Sequence, residues 1–297
     1  MVSETVGAGY RAVHAARLDP NADVRGLGEG WVAPATFIRA NEGFGEPVWV
    51  PAVPDNLLNV WLSGARTTCR WGPLAGKSTR TMAATLQPRG VPNHFEATGA
   101  VSFAQIFLPD ELLDDVAGQM RPGARISGSL RDDIIFAGDS ELNARVAGYL
   151  KAARAAASRV EMDARALLVV ERLLGRHHGL AAAATEPRGL PDWQVKRVTD
   201  YLASAPDREV ALAEMASLVQ LSRFHFARAF KAATGIPPHR YQMRMRVQRA
   251  RFLLESTNKP IGEIAAEVGY ESPGHFSRLF RQETGVTPAT YRRERRR

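Results

Sequence analysis

Basic side chains stand at matching places in two short segments of this chain, and their chemistry is that of holding a polyanion. His225 to Tyr241 reads HFARAFKAATGIPPHRY, and His275 to Tyr291 reads HFSRLFRQETGVTPATY. At an offset of 50 residues, eight of the 17 positions are identical. Arg228 and Lys231 of the first copy answer to Arg278 and Arg281 of the second. A guanidinium is a planar fork of donors that fits O6 and N7 of guanine, whereas an ammonium is a compact charge suited to a phosphate. A period of this size says that one supersecondary unit is built twice.

Each copy needs a helix to aim these groups. In the first, Phe226, Ala229, Phe230 and Ala233 recur at i, i+3, i+4 and i+7 and predict an apolar inner stripe. Phe224, Ala227, Arg228 and Lys231 fall on the opposite side, because two residues differ by ~200° around a helix axis. Ser222 is placed to cap the start, and Thr234-Gly235 to stop the end with a left-handed glycine. In the second copy Ser272-Pro273 is the start signal. Phe276, Leu279 and Phe280 face inward there, and Gly274, Ser277, Arg278 and Arg281 outward. Ahead of each lies a short scaffold helix, with Leu212, Met215, Ala216 and Val219 inward in one and Ile261, Ile264, Ala265 and Val268 in the other. A helix, a tight turn and a second helix make a helix-turn-helix. The scaffold helices align at an offset of 49 and the outer helices at 50, so one residue near Glu271 has been added to the second turn. His239 to Glu255 reads as one linking helix with Met243, Val247, Ala250 and Leu254 inward, ~26 Å long. That length lets two outer helices sit about one duplex turn apart, ~34 Å.

The whole-chain totals agree. From Pro191 onward there are 19 Lys+Arg against 11 Asp+Glu, while residues 1 to 190 hold 20 of each, so the net charge of +8 sits on the duplicated segment. Localised basic charge is the footprint of a nucleic-acid binder. The tail RRERRR, Arg292 to Arg297, adds non-specific phosphate attraction. A single cysteine, Cys69, excludes an internal disulfide and a cysteine-cluster zinc site and fits a reducing compartment. No run approaches ~18 uninterrupted apolar residues, and MVSETVGAGY has neither a basic start nor an apolar stretch. The expectation is a cytoplasmic protein without a membrane partner.

The first half has a different texture. Residues 1 to about 43 give weak signals. Between Glu46 and Pro109, VWVPAVP, NLLNVWLSGA, RTTCRW, TRTMAATLQP and AVSFAQIFLP are short extended runs bounded by turn residues. No helix intervenes, which predicts a small antiparallel barrel or jelly-roll. Asp110 to Ala117 is a short helix. Ser140 to Ala157 carries Leu142, Val146, Tyr149, Leu150 and Ala153 on one stripe, and Ser158 to Glu161 is a capping box opening a further helix with Met162, Ala166, Val169, Val170 and Leu173 inward. This pair packs within the chain or exposes a stripe to a second copy. Residues 175 to 191 mix Gly, Ala and Pro and read as a linker.

Metal and catalytic sets are poorly supplied. His94 and Glu96 share one strand face without a third ligand nearby, and Cys69 has no adjacent histidine. His177-His178 suits a helix end. Trp31, Trp49, Trp61 and Trp71 line a pocket or simply fill a core. No cofactor and no metal are expected.

Here a resemblance becomes specific. GYESPGHFSRLFRQETGVTPATYRR, preceded by IGEIAAEV, resembles the signature of AraC/XylS-type transcriptional regulators, and LAEMASLVQLSRFHFARAFKAATGIPPHRY resembles that family's first helix-turn-helix. The resemblance covers Pro191 to Arg297. It implies an α+β multidomain chain: an N-terminal cupin-like barrel with a helical pair over 1–174, a linker over 175–191, and a C-terminal all-α domain of two helix-turn-helix units over 192–297. It implies double-stranded DNA contacts by Ser222, Arg223, Phe224, Ala227, Arg228 and Lys231 in the first unit, and by Ser272, Gly274, His275, Ser277, Arg278 and Arg281 in the second. Ala227 and Gly274 have no side-chain donor, so readout there would be by methyl contact or shape. A small-molecule effector, a homodimer and RNA polymerase are the other partners it implies. The function read is a sequence-specific regulator and not an enzyme. The alternatives are a cupin-type enzyme with an appended DNA-binding domain, and a DNA-compacting protein without sequence preference.

Overall fold

The computed structural model describes residues 23–27, 33–40, 48–50, 53–64, 67–71, 78–79, 83–97, 99–126, 128, 130, 139–155, 157–180 and 189–295. The chain divides into two compact units, Met1–Ala184 and Thr185–Arg297. Trp31, the N-terminal 22 residues, residues 181–188, Arg296 and Arg297 lie outside the described residues, as do the side chains of Cys69, His94, Trp49 and Trp71.

In the first unit the strands are β1 (Asp23–Leu27), β2 (Ala35–Ala40), β3 (Val48–Val50), β4 (Asn56–Gly64), β5 (Thr67–Trp71), β6 (Ser78–Thr79), β7 (Ala84–Gln87), β8 (Asn93–Ala97) and β9 (Val101–Leu108). They form a five-stranded sheet in the order β1-β2-β9-β4-β7 and a four-stranded sheet in the order β3-β8-β5-β6. Every pairing is antiparallel. β1 and β2 fall in the stretch that gave weak sequence signals. Asn56 ties the sheet to the start of the first helix: its amide donates to Leu108 O (3.0 Å) and Asp110 Oδ1 (2.9 Å), and its oxygen accepts from the Arg89 N–H (3.1 Å).

Strands β7 and β9 and the first half of β4 are buried on both faces of the large sheet. Antiparallel partners share a face, so the pairings put Thr36, Gln105, Asn59 and Thr85 in one row across β2, β9, β4 and β7. All four are buried, and Gln105 Nε2 donates to Asn59 Oδ1 at 2.9 Å. Trp61 and Phe103 occupy the adjoining row, ring centroids 5.1 Å apart. The opposite face carries Phe37, over which the Arg154 guanidinium lies at 4.7 Å.

The strands lead into three helices: α1 (Asp110–Met120), α2 (Ser140–Arg154) and α3 (Arg159–His177). Both predicted apolar stripes, Leu142 to Ala153 and Met162 to Leu173, are buried. α2 packs on α3, and Arg145 bridges them through Glu141 (2.6 Å) and Glu171 (3.2 Å). Half of the predicted capping box forms: the Glu161 N–H donates to Ser158 Oγ (3.3 Å), while the Glu161 carboxylate turns to Arg165. Asp139 caps α2 and also receives Arg172 (3.0 Å) and His177 (3.1 Å). Burial alone would raise the Asp139 carboxyl. The Arg172 hydrogen bonds, the Leu142 N–H and His177 outweigh it and hold the group at about 2. Thus α3 runs to His177, into the stretch that reads as linker, and His177 hydrogen-bonds Asp139, with burial pushing its imidazole below the ordinary histidine range.

The second unit is helical throughout its described residues: α4 (Asp192–Ser204), α5 (Leu212–Leu218), α6 (Arg223–Thr234), α7 (Pro238–Ser256), α8 (Ile261–Glu267), α9 (Pro273–Thr284) and α10 (Pro288–Arg295). α5 packs on α6 and α8 on α9, and α7 packs on α6, α8, α9 and α10. Among the described residues no helix is long and apolar enough to cross a membrane.

Candidate nucleic-acid interface

The two outer helices, α6 and α9, are built by the same local chemistry. Ser222 Oγ accepts from the His225 N–H (3.2 Å) and Ser272 Oγ from the His275 N–H (3.4 Å), so each serine satisfies a first-turn donor. Gly235 (φ 77°) and Gly285 (φ 84°) end the helices in the left-handed region that glycine enters without a Cβ penalty. The Thr234 hydroxyl lies 2.8 Å from Phe230 O and 2.9 Å from Ile236 O, and Thr284 sits 2.8 Å and 3.0 Å from Phe280 O and Val286 O. Behind each helix runs an aromatic stack. Phe226–Phe230–Tyr241 has successive centroid distances of 5.4 and 5.4 Å, and Phe276–Phe280–Tyr291 has 5.6 and 5.5 Å. The four phenylalanines are fully buried, as the inner stripes predict.

The turns carry the one-residue difference. Leu221 N–H donates to Ala216 O and Tyr270 N–H to Ala265 O, an offset of 49, while the serine caps repeat at 50. The extra residue is therefore Glu271. Gln220 (φ 56°) and Gly269 (φ 77°) are the left-handed residues of the two turns.

The outward faces agree with expectation except at two places. Lys231, Gly274, Arg278 and Arg281 are exposed, and so is His225. Arg223, Ala227, Arg228, His275 and Ser277 are half-buried, and Ser222 and Ser272 act through their caps. Phe224 is a correction: its side chain is only 3% exposed and the Arg228 guanidinium lies over its ring at 5.4 Å. One turn apart on the helix, the flat ring folds under the arginine, which leaves Arg228 and not Phe224 at the surface. Ala233, expected in the inner stripe, is exposed at its edge. It lies against Gly189, where a Cβ would stand 3.2 Å from Ala233 Cα.

Several positioning groups escape a reading of motifs. Arg208 forks onto Glu214 (2.5 and 3.0 Å) and the Tyr201 hydroxyl donates to the same carboxylate, which joins α4 to α5. The Arg208 hydrogen bonds, then that of Tyr201, hold the Glu214 carboxyl at about 2. Glu283, on α9, receives Arg240 (2.9 Å) and Arg244 (3.5 Å) from α7. The linking helix is thereby tied to the second outer helix, at a cost of two cations to any surface patch. Arg, Glu and Tyr at such long separations carry no spacing signal. Helix α7 itself has 19 residues, ~28 Å of rise.

With this geometry in view, residues 215–294 match the family described as a helix-turn-helix domain. The segment is 30% identical over 75 residues to the probable transcriptional regulator LumQ of Photobacterium leiognathi, covering 25% of this chain and 30% of that protein. It is 32% identical over 86 residues to the HTH-type transcriptional regulator MtrA of Neisseria gonorrhoeae, covering 28% and 29%. A solved structure of a transcriptional regulator from Chromobacterium violaceum, described as having an AraC-type DNA-binding domain, is 29% identical over 34% of this chain and 91% of that one, with a TM-score of 0.33. The chain thus spans about three tenths of the length of the curated relatives it matches. The C-terminal unit contains a helix-turn-helix domain similar to those of these transcriptional regulators.

Proposed function

We propose that the chain is a sequence-specific DNA-binding transcriptional regulator whose C-terminal unit reads duplex DNA with α6 and α9, under control of a small molecule held by the N-terminal unit. The observation that carries the DNA half is the repeated construction of the two outer helices: the same caps, the same Thr-Gly stops and the same aromatic stack, each presenting an outward arginine and a second cation one turn later. Arg228 and Arg278 suit guanine edges, and Lys231 and Arg281 suit phosphates. Ser222, Ser272 and the first-turn N–H groups orient the helix ends toward the backbone, with Arg223, Ala227, Gly274, His275 and Ser277 beside them. The named functions of the relatives are regulatory, which supports regulation over catalysis.

For the N-terminal unit, the two antiparallel sheets followed by a helical pair support a cupin-like reading. The buried Thr36–Gln105–Asn59–Thr85 row is one place where its interior departs from a purely apolar core, and it supports an uncharged, hydrogen-bonding effector. Homodimerisation and contact with RNA polymerase rest on the resemblance alone. Selection of bound fragments from random duplex DNA tests the reading. Recovery of one common sequence supports it, and fragments no more alike than the input would refute it in favour of DNA compaction without preference.

A further inference from the structure

Arg246 is the most deeply buried cation among the described residues of the C-terminal unit, with 6% of its surface exposed. It projects from the linking helix α7 into the place where the two halves of the unit meet. Its guanidinium lies over the Tyr270 ring at 5.3 Å, at the start of the second outer helix's turn. Gly269 closes the same space: a Cβ there would stand 2.6 Å from Arg246 Nη2 and 3.0 Å from the carbonyl carbon of Asp207. Asp207 belongs to the loop between α4 and α5, in the first half. Three segments of different origin therefore converge on one glycine without a side chain.

Arg246 Nε and Nη2 have no hydrogen-bond partner among the described residues, although the guanidinium also engages the Tyr270 side chain by hydrogen bond and charge. An arginine buried this way is costly, since each unsatisfied buried donor costs ~1–3 kcal/mol and an apolar side chain of similar volume often serves stability better. Stability alone therefore does not account for an arginine here. Its flat shape does: a planar group fits the slot between the Tyr270 face and the Gly269 backbone, and a round ammonium does not.

We infer that Arg246, Gly269 and Asp207 form a clasp that fixes the angle between α6 and α9, making Arg246 a positioning residue for the spacing of the two DNA half-sites. This rests on the reading of α6 and α9 as the DNA-contacting helices. Each base pair inserted between half-sites turns one of them by ~35° about the duplex. A rigid pair of readers discriminates strongly against that rotation, and a loosened pair tolerates it.

The test uses the full-length chain and the duplex recovered by selection, with zero, one or two base pairs inserted between the two contact patches. Wild-type, Arg246→Met and Arg246→Lys proteins are titrated against each duplex at one salt concentration, with thermal melting recorded in parallel. The clasp predicts that both variants stay folded and that the wild-type preference for the native spacing falls by about fivefold to tenfold, the scale of a lost coupling. Methionine keeps the volume without the plane, and lysine keeps the charge without the plane. An unchanged spacing profile in both variants, with affinity either equal or lowered alike for every duplex, overturns the clasp. Failure of the wild-type protein to distinguish its selected duplex from a scrambled one overturns the DNA reading instead, and the clasp with it.

Discussion

Gln220 and Gly269 occupy the same left-handed position in two turns of one design, so exchanging their characters has opposite effects on stability. At φ 56°, Gln220 bears the Cβ penalty of the left-handed region, ~1–2 kcal/mol. Glycine relieves that strain but makes the unfolded chain more flexible, ~0.4–1 kcal/mol in the other direction. Gln220→Gly therefore stabilises by roughly 0.5–1 kcal/mol. Gly269→Ala adds the same strain at φ 77° and places a methyl 2.6 Å from Arg246 Nη2 and 3.0 Å from Asp207 backbone. The arginine can retreat, but the backbone cannot do so cheaply, and overpacking of this kind costs ~1–3 kcal/mol. The sum, less the ~0.4–1 kcal/mol that a stiffer unfolded chain returns, is about 2–4 kcal/mol of destabilisation. For a unit of this size 1 kcal/mol moves the midpoint by ~4 °C. Calorimetry of the full chain should show the C-terminal transition rise by ~2–4 °C in the first variant and fall by ~8–16 °C in the second. A fall in Gln220→Gly, or no change in Gly269→Ala, would refute the equivalence of the two turns.

Other perturbations separate the roles of the outward and inward faces. Arg228→Ala should reduce affinity for the selected duplex by ~1–3 kcal/mol and relax preference at one base pair, whereas Lys231→Ala should weaken all duplexes alike and lower the salt slope by about one. Competition titrations at several salt concentrations distinguish them, and an unchanged site preference in Arg228→Ala would remove that residue from base reading. Phe280→Ala should cost ~3–5 kcal/mol, read by urea unfolding, because the ring is fully buried between Phe276 and Tyr291. Acid should unfold both units for a shared reason. Asp139 and Glu214 are held at about 2, below their unfolded values, so their contribution is complete above ~pH 5 and disappears as pH falls toward 2. Midpoints recorded between pH 6 and pH 2 check this, and Glu214→Gln should flatten the slope of the C-terminal transition. An equally steep slope in that variant would assign the acid sensitivity elsewhere.

The C-terminal half is legible because its determinants are local. A serine cap, a Thr-Gly stop and phenylalanines four apart each act within one or two helical turns, and each is written twice at nearly one offset. Even the inserted Glu271 can be located from the change of offset. Phe224 is misplaced because a helical wheel gives the direction of a Cβ and not the resting place of a ring, which here folds beneath Arg228. Arg246 is invisible for the opposite reason. It precedes inward Val247 by one residue, and only the approach of two distant turns buries it. In the N-terminal unit the alternating runs from Val48 onward become strands, but β1 and β2 do not announce themselves. β2 takes its place by pairing with β9, about 65 residues later, and β1 by pairing with β2.

Hydroxyl-radical footprinting of the full-length protein on its selected duplex bears most directly on the double reader. Two protected patches per chain, on one side of the duplex and ~10 base pairs apart, are the predicted pattern. A single short patch, with α6 or α9 substitutions leaving it unaltered, would contradict it.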